Sequence, residues 1–269
     1  METLLEEARK LAARGVREIM VIAQDTTYYG IDLYGRRRLA ELLTALCRID
    51  DIEWIRLHYA YPTAFPDDVI DVMASEPKIC KYLDIPFQHI SDRMLTAMKR
   101  RHTKADALAL IERLRERIPD IALRTTLLVG YPTETEQDMQ ELEQFVRDVR
   151  FDRLGVFAYS EEEGTYSARE LRDDVPEEEK QRRVDRIMRL QEGISLENNL
   201  ARVGRTMRVI VDSRQGDYYV ARSQYDSPEV DQEILIPAAA HQLRRGHFYD
   251  ARITAAEDYD LYGEVVPRR

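Results

Sequence analysis

LRTTLLVGYPTETEQDM, residues 123–139, spells a strand, a turn and the start of a helix in one run. Leu123–Val129 reads as a strand, and Gly130-Tyr131-Pro132 stops it, because glycine and proline punctuate regular structure. Thr133 and Glu136 have the spacing of a capping box. Met139, Leu142, Phe145, Val146 and Val149 then recur on one helical face. The next strand, Asp152–Phe157, follows directly. A strand, an amphipathic helix and a second strand make the repeating unit of a parallel sheet.

The same unit recurs upstream. Leu4, Leu5, Ala8, Leu11 and Ala12 have helical spacing with a stop at Gly15, and Glu18–Ala23 reads as a buried strand. A helix carrying Leu39, Leu42, Leu43 and Leu46 precedes a strand at Glu53–His58, and a short helix near Asp67–Ala74 precedes strand-like KYLDIPF, 81–87. Helical stretches follow at about 91–99 and 103–118. Strand and helix therefore alternate five times, which predicts an α/β fold, a parallel sheet with right-handed crossovers and helices outside. Every strand stops on polar residues or glycine: Gln24-Asp25, His58-Tyr59, Gln88-His89, Gly130 and Tyr159-Ser160. Sheets of this kind place their chemistry at the carboxyl ends of the strands, so the five endings are expected to form one composite site.

Beyond Pro176 a charged helix runs to about Leu200, with Gly193 as an expected kink or early end. From Gly204 the pattern changes to the short β segments MRVIVD, YYVARS, EILIP and FYDARIT and a strand near Tyr262–Val266, the signature of a small OB-like barrel. The expected units are 1–165, a partial barrel; 166–203, a helical connection; and 204–269, the all-β barrel.

The formal charge is −10; residues 202–269 contribute −1 and residues 1–201 contribute −9. These totals show no basic excess of the kind that nucleic-acid binders carry, and an acidic body suits a basic partner. No apolar run reaches the roughly 18 residues that span a bilayer. Cys47 and Cys80 form neither a CxxC spacing nor a disulfide framework, which fits a cytoplasmic protein.

Five phrases in order, AQDTTYYGIDLYG, DIPFQHISDRMLTAMKRRHT, LRTTLLVGYPTETEQDM, GVFAYSEEEGTYSA and DSPEVDQEILIP, resemble the radical S-adenosylmethionine (SAM) methylthiotransferases. The resemblance covers essentially the whole chain and is closest to the members that modify an aspartate of a small-subunit ribosomal protein. It implies an incomplete TIM-like radical-SAM barrel followed by a TRAM domain. It also implies SAM as cofactor and two [4Fe–4S] clusters in a full-length enzyme. One electron cleaves the sulfonium, the resulting radical takes a β-hydrogen from the aspartate, and a methylthio group replaces it. In such enzymes one cluster sits on CxxxCxxC and the second on cysteines further upstream. Two isolated cysteines supply neither set. The chain is therefore expected to be the C-terminal part of a longer enzyme, with no cluster, no catalytic residue and no radical chemistry of its own.

By position in the family, Gln24 and Asp25 would meet the methionyl amino group, and Arg124 its carboxylate. Gln88, His89 and Ser91 would reach ribose or carboxylate oxygens, Gly130 would let a flat ligand approach, and backbone near Phe157 and Tyr159 would hold the adenine. Asp25 could instead close a turn onto Thr27, Ser91 could cap a helix, and His89 could be a structural histidine. Glu161, Glu162 and Glu163 would face a basic ribosomal protein from the barrel mouth, and Asp226, Glu229 and Asp231 would do so from the TRAM-like domain. Nucleic acid would be at most an indirect partner, although Tyr218, Tyr219 and Tyr225 could stack on bases. A tRNA-modifying methylthiotransferase and a docking module without catalysis remain alternatives. So does a metal hydrolase built on His58, His89, Asp25 and Asp84. An unpaired parallel edge at Glu18–Ala23 would invite self-association.

Overall fold

The computed structural model describes residues 1–267. Helix α1 (Glu2–Ala13) leads into β1 (Glu18–Val21); the one-turn α2 (Ile31–Tyr34) and α3 (Leu39–Cys47) lead to β2 (Trp54–Leu57). Then come α4 (Asp67–Ser75), β3 (Ile79–Asp84), α5 (Asp92–Ala97), α6 (Lys104–Arg117), β4 (Ala122–Val129), α7 (Glu136–Val149) and β5 (Arg153–Ala158). The five strands form one parallel sheet in chain order. One apolar core, including Leu43, Ile55, Leu83, Leu127, Met139 and Phe145, fills the space between the sheet and its helices. After α8 (Tyr166–Glu170) and α9 (Glu177–Leu200), strands β6 (Thr206–Gln215), β7 (Tyr218–Ser223), β8 (Glu233–Pro237), β9 (Phe248–Ala256) and β10 (Asp260–Val266) close a barrel in the order β10-β8-β7-β6-β9. Its core is Val209, Val211, Ala221, Ile234, Ile236 and Ile253 with their neighbours.

Four local expectations change. Strand β1 ends at Val21 and is not buried: among the described residues it pairs only with β2, and Met20 and Ile22 are 42% and 54% exposed. Strand β3 starts earlier than expected and stops at Asp84, because Pro86 has no N–H to give and Gln88 takes a left-handed φ of 68°. Gln88 rejoins the sheet alone. Its N–H donates to the Thr126 carbonyl at 2.9 Å, and its carbonyl accepts from the Leu128 N–H at 2.7 Å. The capping box of α7 is Thr135 with Asp138, two residues beyond the expected pair, while Thr133 has φ 70° and gives its N–H to Asp174. Helix α9 runs through Gly193 unbroken. Gly193 costs about 1 kcal/mol against alanine, and the buried Ile187, Gln191 and Ile194 hold that stretch in place.

The small barrel is clamped onto the sheet by charge as well as by apolar contact. Trp54, Cys80, Tyr82 and Ala122 pack with Ile210 and Phe248, and the Trp54 and Phe248 rings meet edge-on at 4.7 Å. Around that patch, Glu18 accepts from Arg56 Nε at 3.0 Å and from Arg222 Nη1 at 2.9 Å. Arg56 also donates to the carbonyl of Gln224 at 2.8 Å. Arg153 pairs with Asp226, Tyr82 donates to Asp231 at 2.7 Å, and Ser227 Oγ lies 2.9 Å from His58 Nε2. Burial, with the nearby Arg56 and Arg124 charges, holds His58 down at about 4, so its ring is neutral in this seam.

Candidate functional site

The parallel strands bring their carboxyl ends to one edge, and backbone bonds stitch the loops there together. The Thr26 N–H donates to the Tyr59 carbonyl at 3.1 Å, Ala60 to Asp84 at 3.1 Å, Gln88 to Thr126 at 2.9 Å and Tyr159 to Val129 at 2.8 Å. Gln24 lies exposed at this edge. Asp25 Oδ1 accepts from the Thr27 N–H at 2.9 Å and the Thr27 hydroxyl at 2.7 Å, so Asp25 does close the turn onto Thr27. Its Oδ2 is left as an acceptor. Phe157 is 60% exposed and presents an aromatic face from β5. Tyr159 is buried, with the Tyr131 ring at 5.0 Å and the Lys180 ammonium over its own ring at 5.3 Å, and its hydroxyl has no hydrogen bond. Glu161, Glu162 and Glu163 are exposed in the loop after β5, and Glu229 is exposed with φ 68°.

A family model described as the radical SAM superfamily matches residues 1–146, and one described as the TRAM domain matches 203–266. The chain belongs to the radical SAM superfamily. It is similar to the ribosomal protein uS12 methylthiotransferase RimO of Bacteroides thetaiotaomicron, 52% identical over 266 residues, covering 99% of this chain and 61% of that protein. The protein of the same name from Christiangramia forsetii is 53% identical over 99% of this chain and 59% of its own length. The chain thus spans about three-fifths of the curated relatives it matches. In solved structures, Escherichia coli coproporphyrinogen III oxidase, described as a radical SAM enzyme, aligns with a TM-score of 0.53. That alignment has 15% identity over 83% of this chain and 60% of that one, and shows the same fold.

Several residues expected at the radical SAM cofactor edge are engaged elsewhere. Arg124 lies near the start of β4, at the opposite end from that edge, and donates to Asp84 at 3.1 Å and to Asp231 at 3.3 Å, in the seam with the TRAM barrel. Asp226 and Asp231, expected to face substrate, are buried in that seam, Asp226 on Arg153 and Asp231 on Arg124 and Tyr82. His89 is fully buried. Its Nδ1 accepts from the Ile90 and Ser91 N–H groups at 2.8 and 3.0 Å, so Nε2 carries the proton and donates to Glu134 at 3.1 Å. Ser91 makes no side-chain cap; its hydroxyl donates to Asp138 at 2.6 Å.

Gly130 has φ 73°, and a Cβ built on it would lie 2.4 Å from Lys180 Cγ, so the close approach it permits is to α9. Gly130→Ala is expected to cost about 1–3 kcal/mol through overpacking and left-handed strain. Urea unfolding checks this, and the added substitution Lys180→Ala should recover part of the loss.

Glu134 is the residue that sequence reasoning missed. It is buried and accepts from His89, from the Gly130 N–H at 2.6 Å and from Arg183 at 2.6 Å. Its only local signal is a carboxylate four residues past the glycine that ends β4.

The alternative metal-hydrolase reading finds no ligand set: among the described residues no group of three or more His, Cys, Asp or Glu is placed to hold a metal ion. Cys47 and Cys80 are buried on α3 and β3, where burial pushes their thiols up to about 11 and about 12. Two protonated thiols on separate elements do not fit an iron–sulfur cluster, which takes several converging thiolates.

Proposed function

We propose that this chain is the cofactor-orienting and substrate-presenting part of a methylthiotransferase that modifies ribosomal protein uS12 in the cytoplasm. The reaction attributed to it is insertion of a methylthio group on the β-carbon of an aspartate. The observation that carries the reading is about 50% identity to RimO proteins sustained over 99% of the chain. The open edge of the sheet supports it. A SAM-sized ligand there has acceptors at Gln24 and Asp25 for its ammonium group, an amide at Gln88, and the exposed Phe157 ring for its purine. The sulfonium of SAM is the source of reactivity in such enzymes. This chain's share is to bind, orient and shield the cofactor. The exposed acidic loop at Glu161–Glu163 suits a basic ribosomal protein.

Isothermal titration of this chain with SAM tests the reading. Saturable binding is expected, weakened about tenfold or more by Asp25→Ala, the size of one lost charge-assisted hydrogen bond. Heat changes no different from buffer would sink it.

A further inference from the structure

Helix α5 ends in a Schellman turn: the Lys99 N–H donates to the Thr96 carbonyl at 3.1 Å and the Arg100 N–H to the Leu95 carbonyl at 2.8 Å. Lys99 is the left-handed residue of that turn, φ 57°, a position where glycine is the unstrained choice. The Lys99 ammonium lies 4.2 Å from the centre of the Tyr166 ring, and the Arg100 guanidinium 5.5 Å from that of Tyr61.

The two cations border a cleft of about 320 Å³ on the carboxyl edge of the sheet, shared with Gln88 and Leu128. No carboxylate among the described residues lines it, in a chain whose formal charge is −10. Neither cation has an ion pair within 4.0 Å among the described residues; each rests on a tyrosine face instead. A ring face holds a cation weakly, and a carboxylate takes it over through charge-assisted hydrogen bonds. The acidic stretch Glu161–Glu163 runs straight into Thr165, Tyr166 and Ser167, which close the cleft on its other side. A cationic cleft is thus joined on one side to an acidic segment.

We propose that this cleft is the specificity subsite for an acidic side chain presented within a basic peptide, with Lys99 and Arg100 gripping its carboxylate and Glu161–Glu163 holding the flanking basic residues. The inference rests on the reading above and adds to it how one aspartate in a basic protein is singled out.

The test uses this chain and a synthetic basic peptide of about ten residues (any sequence with net positive charge) carrying one aspartate, beside the same peptide with asparagine. Wild type should prefer the aspartate peptide about tenfold or more, and Lys99→Gly with Arg100→Gln should abolish that preference. Lys99→Gly alone should reduce the preference while leaving the melting temperature unchanged or higher, because glycine relaxes the turn; a purely structural lysine would show neither loss of preference nor gain. SAM affinity, measured in parallel, should not change in either variant. A fall in SAM affinity alone would make the cleft a cofactor subsite and overturn the proposal, as would loss of binding to an RNA oligonucleotide with peptide discrimination intact. Wild type that binds SAM but not the aspartate peptide selectively refutes this inference and leaves the functional reading standing; wild type that binds neither refutes both.

Discussion

Glu18→Ala is expected to lower the free energy of unfolding by about 3–5 kcal/mol, the usual cost of removing one partner from a buried ion network. Glu18 is the shared acceptor for Arg56 and Arg222, and all three side chains are at least nine-tenths buried. Arg222 would keep Asp212, whereas Arg56 would keep the carbonyls of Ser223 and Gln224 and its place over the Trp54 and Tyr82 rings, but no carboxylate among the described residues. Burial opposes ionisation of Glu18, but the Arg222 hydrogen bond and charge, with those of Arg56, outweigh it and hold the carboxyl below its ordinary value. A carboxyl depressed in the folded state stabilises above its unfolded value, about 4.3, and that stability is lost as pH falls through the folded value. Asp226 shifts the same way: burial opposes its ionisation, and Arg153 and Arg202 overcome it. Asp84 runs oppositely, lifted by burial despite Arg124, and offsets part of the slope. The seam should therefore loosen in acid from about pH 6.5, where unfolding lets His58 take up a proton that the fold resists, and further below about pH 4 as Glu18 and Asp226 protonate. Trp54, the single tryptophan, is buried in the seam against Phe248 and reports the opening by fluorescence. An unchanged urea midpoint in Glu18→Ala would show that the network contributes nothing net.

Glu134→Ala should cost a similar amount, about 3–5 kcal/mol, from stranding several buried donors at about 1–3 kcal/mol each. The Gly130 N–H and the His89 Nε2–H would lose their partner. Arg183 would keep Glu179 at 2.8 Å and the Glu134 carbonyl at 3.3 Å. Because Glu134 ties the end of β4 to α9, the loss should concentrate in the 130–135 loop, measured as faster amide hydrogen exchange there. Glu134→Gln retains the shape but removes the charge facing Arg183. Wild-type stability in that variant would mean that shape alone holds the loop.

Much of the fold was legible because its signals are local. Leu127, Val129, Met139 and Leu142 carry the strand and helix periods in their own spacing, and Gly130 with Pro132 marks the boundary between them. The switch to short β segments after Gly204 is equally local, and it is a closed barrel in the structure. The details that moved did so for tertiary reasons. Residues 22–23 fall outside the ladder because β1 has one neighbour, and Thr135 replaces Thr133 as cap because Thr133 turns left-handed towards Asp174.

The candidate site divides along the same line. Gln24, Asp25 and Gln88 follow from where their strands end, which residue order alone expresses, whereas Phe157 was placed by the family resemblance. Arg124, Asp226 and Asp231 do not, since a charge is assigned by its partner: Arg124 and Asp231 are 107 residues apart, and Arg153 and Asp226 are 73 apart. Family resemblance placed Arg124 on a cofactor and the two aspartates on a substrate, whereas folding ties all three into the seam by ion pairs.

By itself the sequence determined the order of strands and helices, the parallel sheet and the edge at which its polar endings gather, because hydrophobic period and turn chemistry act over a few residues. Only the tertiary structure decided which charges are consumed in joining the TRAM barrel to the sheet and which, such as Lys99 and Arg100, rest on tyrosine rings beside a cleft with no ion pair among the described residues. Burial and ion pairing depend on distances that the chain sets only once it is folded.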